Sequence, residues 1–236
     1  MKTSLLTLIF LCLCLFCNAQ EKTQYEQFKN IENKADSLKK MLQFEQSIDA
    51  RMQIVASDST YFTNLYEISA LYSLSKKPDL AFYYLTKATK LDSSITYLVN
   101  PDYIFIYQDS RWSIIRDLQI AKYESISGKL KNIPLAKMLW EMKMKDQSYY
   151  LDFFFLWDIK QDQEGAMKIW QIKDSINKDN LRLLDSIIIV SGWPKISDVG
   201  REGSSSAFLI DYVSHKKFLI LDEAKKSNSI QCVVQC

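Results

Sequence analysis

From Glu21 to Lys40 the chain places Tyr25, Phe28, Ile31, Ala35 and Leu38, then Met41 and Leu42, at steps of three and four among charged residues. That period gathers the apolar side chains on one stripe and predicts an amphipathic helix with a single buried face. The same period returns in Ile68, Leu71 and Tyr72 and again in Leu80, Ala81, Tyr84, Leu85 and Ala88, with Lys76-Lys77-Pro78-Asp79 between them. Two helices separated by a break at the proline are predicted. Asp102 and Asp109 are placed to start short helices, and Trp112, Ile115 and Leu118 to pack back on the preceding pair. Leu135, Met138, Leu139 and Met142 open a further stripe that runs on through Gln147, Tyr149, Phe153 and Leu156 and is interrupted by Asp146. The longest stripe is Ile169, Ile172, Ile176, Asn180, Leu183, Leu184 and Ile187, with Gly192 as its natural C-cap. The only β-branched run, Ile187 to Val190, reads as the end of that helix. Trp193-Pro194 then turns the chain, because proline restricts its predecessor to extended backbone, and Ser204 to Ser206 cap a last helix predicted over 207–224.

Composition supports helices throughout. Gly and Pro together number 9 in 236 residues, against a usual share of roughly 12%. So few turn residues do not serve a sandwich or barrel that needs many tight turns. An all-α fold is expected. With 47% hydrophobic residues the chain has the material for a core, and a net charge of +2 without a basic stripe leaves no electrostatic footprint for nucleic acid.

Met1 to Ala19 reads as a secretory signal peptide: Lys2, an apolar run from Leu5 to Phe16, then Cys17-Asn18-Ala19 ending in a small residue. The run is well short of the ~20 residues that span a bilayer. Cleavage near Ala19-Gln20 and an extracytoplasmic location, periplasmic or secreted, are expected, with no membrane span afterwards. Cys12, Cys14 and Cys17 leave with the leader, so Cys232 and Cys236 alone remain. In an oxidising compartment these could pair with each other or with a second chain, and no His or Asp cluster beside them makes a metal site.

An offset of 34 residues aligns Ala35 with Ser69, Leu38 with Tyr72, Ser47 with Ala81 and Asp58-Ser59 with Asp92-Ser93. The better copy, Asn64 to Asp92, resembles the tetratricopeptide pattern, in which small residues such as Ala81 and Ala88 let two helices approach while Tyr84 and Leu85 fill the groove. Lys34 to Asp58 is a more degenerate copy. Two copies are too few for a self-sufficient solenoid, so the rest of the chain must cap them. Residues 20–122 are therefore expected to be a tetratricopeptide-like region, 123–134 a linker containing Ser125, Ser127, Gly128 and Pro134, and 135–236 a second small helical domain.

That second region resembles bacterial domain-of-unknown-function family 6624. The matching residues are Leu139-x-x-Met142-x-x-x-Asp146-Gln147, Asp179-Asn180-x-x-x-Leu184, Gly192-Trp193-Pro194, Val199-Gly200 and Ala207-Phe208-Leu209-Ile210, in order over about 75 residues. The resemblance implies an extracytoplasmic domain often found after tetratricopeptide-like helices, and implies no known reaction. Where the family has Arg after its Asp-Gln this chain has Tyr150, and where the family has His it has Val213. His215 lies two residues later, about 200° around a helix. The family continues into a polar, Tyr-Gly-rich segment, so this region is expected to be C-terminally truncated.

For chemistry, Asp146 and Gln147 are the leading pair, because a half-buried carboxylate in an apolar helix could act as a general base. The same Asp could instead satisfy a backbone donor of the Gly192 to Gly200 turn. Trp193, Arg201 and Ser204 are candidate binding residues: the indole could stack on a ligand, and Arg201 with the backbone ahead of a helix could hold an anion. Zinc-protease, dithiol, dinucleotide and nucleophile-elbow motifs are absent from the sequence, and no cofactor or metal is expected. The expected function is binding of a peptide or protein on the repeat surface without covalent chemistry. The alternative is an enzyme, or a degenerate one, using Asp146 near the Gly-Trp-Pro turn.

Overall fold

The computed structural model describes residues 24–227, with side chains up to Tyr212. The expected signal sequence, Cys232 and Cys236 lie outside the described residues, as do the side chains of Val213 and His215. Among the described residues the fold is all-α, without a strand, and none of the helices is long and apolar enough to cross a membrane.

Helices α1 (residues 24–40), α2 (Phe44–Ser57), α3 (Phe62–Leu74) and α4 (Pro78–Leu91) form two successive hairpins. The 34-residue offset is visible in their chemistry. In the first hairpin the Ser47 hydroxyl donates to the Ala35 carbonyl at 2.8 Å. In the second the Ser69 hydroxyl donates to the Ala81 carbonyl at 2.7 Å. These are equivalent positions with donor and acceptor exchanged, and all four residues are fully buried. A bulkier side chain would hold the helices apart and break the bond. The matched aspartates behave alike: Asp58 ends α2 and accepts from the Thr60 N–H (2.9 Å) and hydroxyl (2.6 Å), and Asp92 ends α4 and accepts from the Ser94 N–H (3.1 Å) and hydroxyl. Each turn satisfies itself locally through the aspartate side chain.

The chain then makes two short 3₁₀ turns, Thr96–Val99 and Pro101–Tyr103, before α5 (Ser110–Ser127). Asp109 caps α5 as predicted, accepting from the Arg111 N–H at 2.9 Å. Asp102 does not start its turn: Asn100 accepts from the Asp102 N–H at 3.0 Å, and the Asp102 carboxylate is committed to Lys39. Trp112 packs inward, but Leu118, expected beside it, is 68% exposed. Gln119 and Lys122 take the contact with α4 instead. The Gln119 amide donates to the carbonyls of Asp92 and Ser94 (2.9 and 2.8 Å), and Lys122 Nζ to those of Thr89, Lys90 and Asp92. A helix end whose carbonyls are out of water needs such donors.

Beyond α5 follow α6 (Ile133–Gln147), α7 (Tyr150–Phe154), one π turn (Phe155–Ile159), α8 (Gln163–Ser191) and α9 (Ile196–Ser227). The expected linker is shorter than 123–134. Tyr123 to Ser127 complete α5, where the Ser125 hydroxyl folds back on the Lys122 carbonyl at 2.7 Å, and α6 already begins at Ile133 with Asn132 as its cap. Nor does the core divide at this loop. Leu85, Leu98, Trp112, Leu139, Trp140, Leu184 and Ile210 belong to one buried cluster, and α6 packs against both 3₁₀ turns and against α9.

The last two helices differ from the predicted pattern. The buried face of α8 is Ala166, Lys173, Asn177, Asn180 and Leu184, while Ile172 and Leu183 are more than two-fifths exposed. Ser204 to Ser206 lie inside α9 rather than capping it, with the Ser206 hydroxyl donating to the Glu202 carbonyl at 2.6 Å. The true break is Gly200, at φ 73° and ψ 174°, a conformation open essentially to glycine alone. It is buried, and a Cβ there would meet Leu130 Cδ2 at 2.9 Å. The Asn132 N–H donates to the Asp198 carbonyl at 2.8 Å beside it, so loop 128–132 and the start of α9 are fastened together.

Gly200→Ala is expected to cost at least about 1–3 kcal/mol from backbone strain, plus the displacement of Leu130. Gly192→Ala meets the same kind of strain (φ 73°) in open space, and so should lower the melting temperature less in a thermal unfolding comparison.

Candidate functional site

Between the hairpins and the α6–α7 corner lies a cleft of about 1010 Å³. One wall comes from α1 to α3 and the second 3₁₀ turn; the other is the segment from Gln147 to Ile159. The hairpin wall carries a linked charge network in place of apolar packing. Arg51 is 3% exposed. Its Nη1 donates to Asn64 Oδ1 at 2.9 Å, and its Nη2 pairs with Asp36 and, at 3.8 Å, with Glu67. Asn64 donates in turn to Glu32 Oε1 at 3.0 Å. Lys39 bridges Asp102 (2.5 Å) and Glu67 (3.5 Å). Burial alone would pull the Lys39 ammonium down, but the Asp102 and Glu67 carboxylates outweigh it and hold its pKa above the ordinary value. The network ties α1, α2, α3 and the 3₁₀ turn into one surface, and it is net acidic. Six carboxylates line the cleft against three cations, Lys39, Lys40 and Arg51.

The opposite wall depends on how α6 ends. Tyr149 adopts φ 68°, which stops α6 at Gln147 and starts α7 at Tyr150. This breaks the stripe that the sequence runs straight through. The freed carbonyls are collected by Lys173, 1% exposed, whose Nζ donates to Asp146 O at 2.6 Å and Ser148 O at 3.1 Å. The same ammonium lies 3.4 Å from the centre of the Tyr150 ring, a cation–π contact in a desolvated place. Asn180 donates to the Met142 carbonyl at 2.9 Å. Asn177, with its amide turned so that both ends are satisfied, donates to Asp146 Oδ1 at 2.8 Å and to the Lys173 carbonyl at 3.1 Å. Lys173, Asn177 and Asn180 thus form a polar ladder down α8 that holds the end of α6. Tyr150 stacks on Phe154 at 6.0 Å, and both rings face the cleft. Burial first, and the Asp146 charge second, push the Tyr150 hydroxyl up to about 12.

The five residues nominated by the sequence do not form one site. Asp146 and Gln147 touch, the Gln147 amide donating to the Asp146 carboxylate. Gln147 lines the cleft, whereas Asp146 is 1% exposed and lies behind it. The Asn177 amide of α8 and the Gln147 amide of α6 donate to its carboxylate, and its charge acts on Tyr150 of α7. Trp193 (39% exposed), Arg201 (exposed) and Ser204 (half-buried) belong to the α8–α9 turn and the start of α9 and do not line the cleft. Among the described residues no group of three or more His, Cys, Asp or Glu is arranged to hold a metal ion.

Comparison of the chain with family models, curated proteins and solved structures gives no match.

Sequence reasoning passed over Lys39, Arg51, Asp152, Lys173 and Asn177. A signal existed for some of them. Arg51 interrupts the buried row Ser47, Ile48, Ile54 of α2, and 173, 177, 180 and 184 are spaced four, three and four. Asp152 carried none, because its position depends on the left-handed turn at Tyr149. Burial raises its carboxyl above the ordinary range, partly offset by a hydrogen bond from its own backbone N–H and by the charge of Lys76. Asp152 combines the solvent access that Asp146 lacks with a raised pKa, as an acid–base or ligand-pairing group requires.

Asp146→Ala removes the acceptor of the Asn177 and Gln147 amides, and leaving a buried donor unmatched costs about 1–3 kcal/mol. Thermal unfolding should show a corresponding loss of stability, and a variant as stable as the parent would remove Asp146 from its supporting role.

Proposed function

We propose that this chain is an extracytoplasmic helical-repeat protein that binds a peptide, or an extended segment of a protein, in the cleft between its hairpins and the α6–α7 corner, without covalent chemistry. The leader sequence supports the location, and the Ser–Ala contacts repeated at a 34-residue offset support a tetratricopeptide-like reading of α1 to α4. For the C-terminal region we propose kinship with family 6624, supported by the Gly-Trp-Pro and Val-Gly residues at the turn that seats α9 on α6. One observation carries the functional reading: a cleft of about 1010 Å³ with an acidic wall facing an aromatic one.

The chemistry of the walls supports a ligand with basic and apolar groups. Lys39 and Arg51 are already committed to carboxylates of the cleft. Asp152 and Asp158, on the far wall, form no ion pair among the described residues. Beside them Tyr149, Tyr150, Phe105 and Phe154 offer ring faces and apolar area. A segment carrying Lys or Arg next to an apolar residue satisfies both, by charge pairing and by cation–π contact.

The test is fluorescence anisotropy on the chain from Gln20, using labelled peptides matched in length, one set rich in Lys and apolar residues and one rich in Glu. The basic set should bind and the acidic set should not. Exposed pairs contribute up to about 1 kcal/mol each, so Asp152→Asn with Asp158→Asn together should weaken binding roughly tenfold. The raised Asp152 carboxyl fixes the pH dependence: protonation removes its charge, so affinity falls on acidification, beginning above the ordinary aspartate range. Asp152→Asn should flatten that limb. Equal binding of both peptide sets, or affinity indifferent to both substitutions, would contradict this reading.

A further inference from the structure

Far from the acidic cleft, the chain gathers apolar and basic side chains at one end of the molecule. The last turn of α8 exposes Ile189 and Val190, each 83% accessible, and the turn after it exposes Trp193 (39%) and Ile196 (63%). Their neighbours Ile187 and Ile188 are packed on the core, so the exposed pair stands on a fixed support. Loop 128–132 lies alongside, held by the bond between the Asn132 N–H and the Asp198 carbonyl and by Leu130 against Gly200. Ile126, 68% exposed, sits at the end of α5 just before that loop.

This end also carries a group of exposed cations. Lys129 and Lys131 in the loop, Lys195 in the turn and Arg201 just after the Gly200 break are all exposed. Most carboxylates on these segments are engaged: Asp198 lies 3.8 Å from Lys131, Glu124 accepts the Leu130 N–H at 2.9 Å and Glu202 lies 3.9 Å from Lys143, while Asp185 is exposed one turn before Ile189. A tryptophan and several aliphatic side chains projecting from a helical turn and flanked by lysines match the requirements of a bilayer interface. The indole suits the headgroup level, the aliphatic groups the acyl boundary and the cations the lipid phosphates. An apolar protein partner would explain the aliphatic residues but would not call for four surrounding cations. Trp193 and Arg201, which do not line the cleft, find a common use here.

We propose that this end docks on the surface of an anionic lipid bilayer, with Ile189, Val190, Trp193 and Ile196 entering the headgroup boundary and Lys129, Lys131, Lys195 and Arg201 facing lipid phosphates. The contact is peripheral. It would leave the cleft, elsewhere on the molecule, open to its ligand.

The proposal is tested by vesicle flotation of the chain from Gln20, which holds every described residue and lacks the apolar leader. Vesicles of phosphatidylcholine alone are compared with vesicles that also contain phosphatidylglycerol. The protein should float with the anionic vesicles only and should be released by salt. Neutralising cations should weaken binding roughly fivefold each, so Lys129→Gln with Lys195→Gln should lose about twentyfold or more. Ile189→Ser with Val190→Ser, at positions too exposed to matter to the core, should abolish flotation while the helical circular dichroism is unchanged. The proposal is overturned if flotation is absent, if it is equal on both vesicle types, or if both double variants bind as the parent does. A concentration-dependent dimer that the Ile189→Ser, Val190→Ser pair dissolves would likewise overturn it, by assigning this end to a second copy of the chain.

Discussion

The fold turns on a small aromatic knot between its two halves. Tyr97 stacks on Tyr66 at 5.1 Å and meets Trp112 edge-on at 5.8 Å, while Tyr103 packs against Trp112 at 5.3 Å and its hydroxyl donates to the Tyr66 carbonyl at 2.9 Å. All of Tyr97, Tyr103 and Trp112 are at least nine-tenths buried. They come from the stretch that leaves the second hairpin, and α6 lies directly against its two 3₁₀ turns. Large rings in a shared core contribute much of the burial that stabilises a small helical protein. Here they also fix the angle at which α6 stands to the hairpins. The cleft is a consequence, because its two walls are the hairpin surface on one side of the knot and the end of α6 on the other.

Polar groups complete what the aromatic residues begin. Several helices in this chain end inside the protein, and their carbonyls must find donors there. Lys122 and Gln119 serve α4, while Lys173 and Asn180 serve α6. Lysine is well suited, with a long stem that packs and an ammonium that reaches several carbonyls at once. The Arg51–Asp36–Glu67–Lys39–Asp102 network works differently. It brings charges of both signs into a half-buried wall, where their mutual pairing offsets desolvation and leaves surplus negative charge facing the cleft.

The regular parts were legible in the sequence. Helical periodicity predicted α1, α3 and α4 within a few residues, and the 34-residue offset matched Ala35 with Ser69 and Ser47 with Ala81, with Ala81 expected at a close approach; the two Ser–Ala bonds join these matched positions. Several misreadings share one cause: the assumption that apolar means buried and polar means exposed. On α8 that assumption put Ile172 and Leu183 inside and overlooked Lys173 and Asn177, although Asn180 was already on the stripe. Serines 125 and 204 to 206 were read as loop or cap residues, but a serine in a helix can bond back to the carbonyl a turn earlier, as Ser125 and Ser206 do. The left-handed residue Tyr149 left no sequence signal at all, and with it the wall that carries Asp152 was invisible. Asp146, singled out in the sequence as a half-buried carboxylate, is 1% exposed and lies within the α6–α8 ladder behind the cleft wall.

The hairpins and the later helices share one core, which gives the cleft between them a fixed shape. Thermal unfolding of the chain from Gln20, followed at once by far-ultraviolet circular dichroism and by tryptophan fluorescence, tests it most directly. One cooperative transition with the two signals superimposed is the predicted result. Two transitions, with the helical signal of the hairpins surviving after the tryptophans of the later helices are exposed, would contradict it.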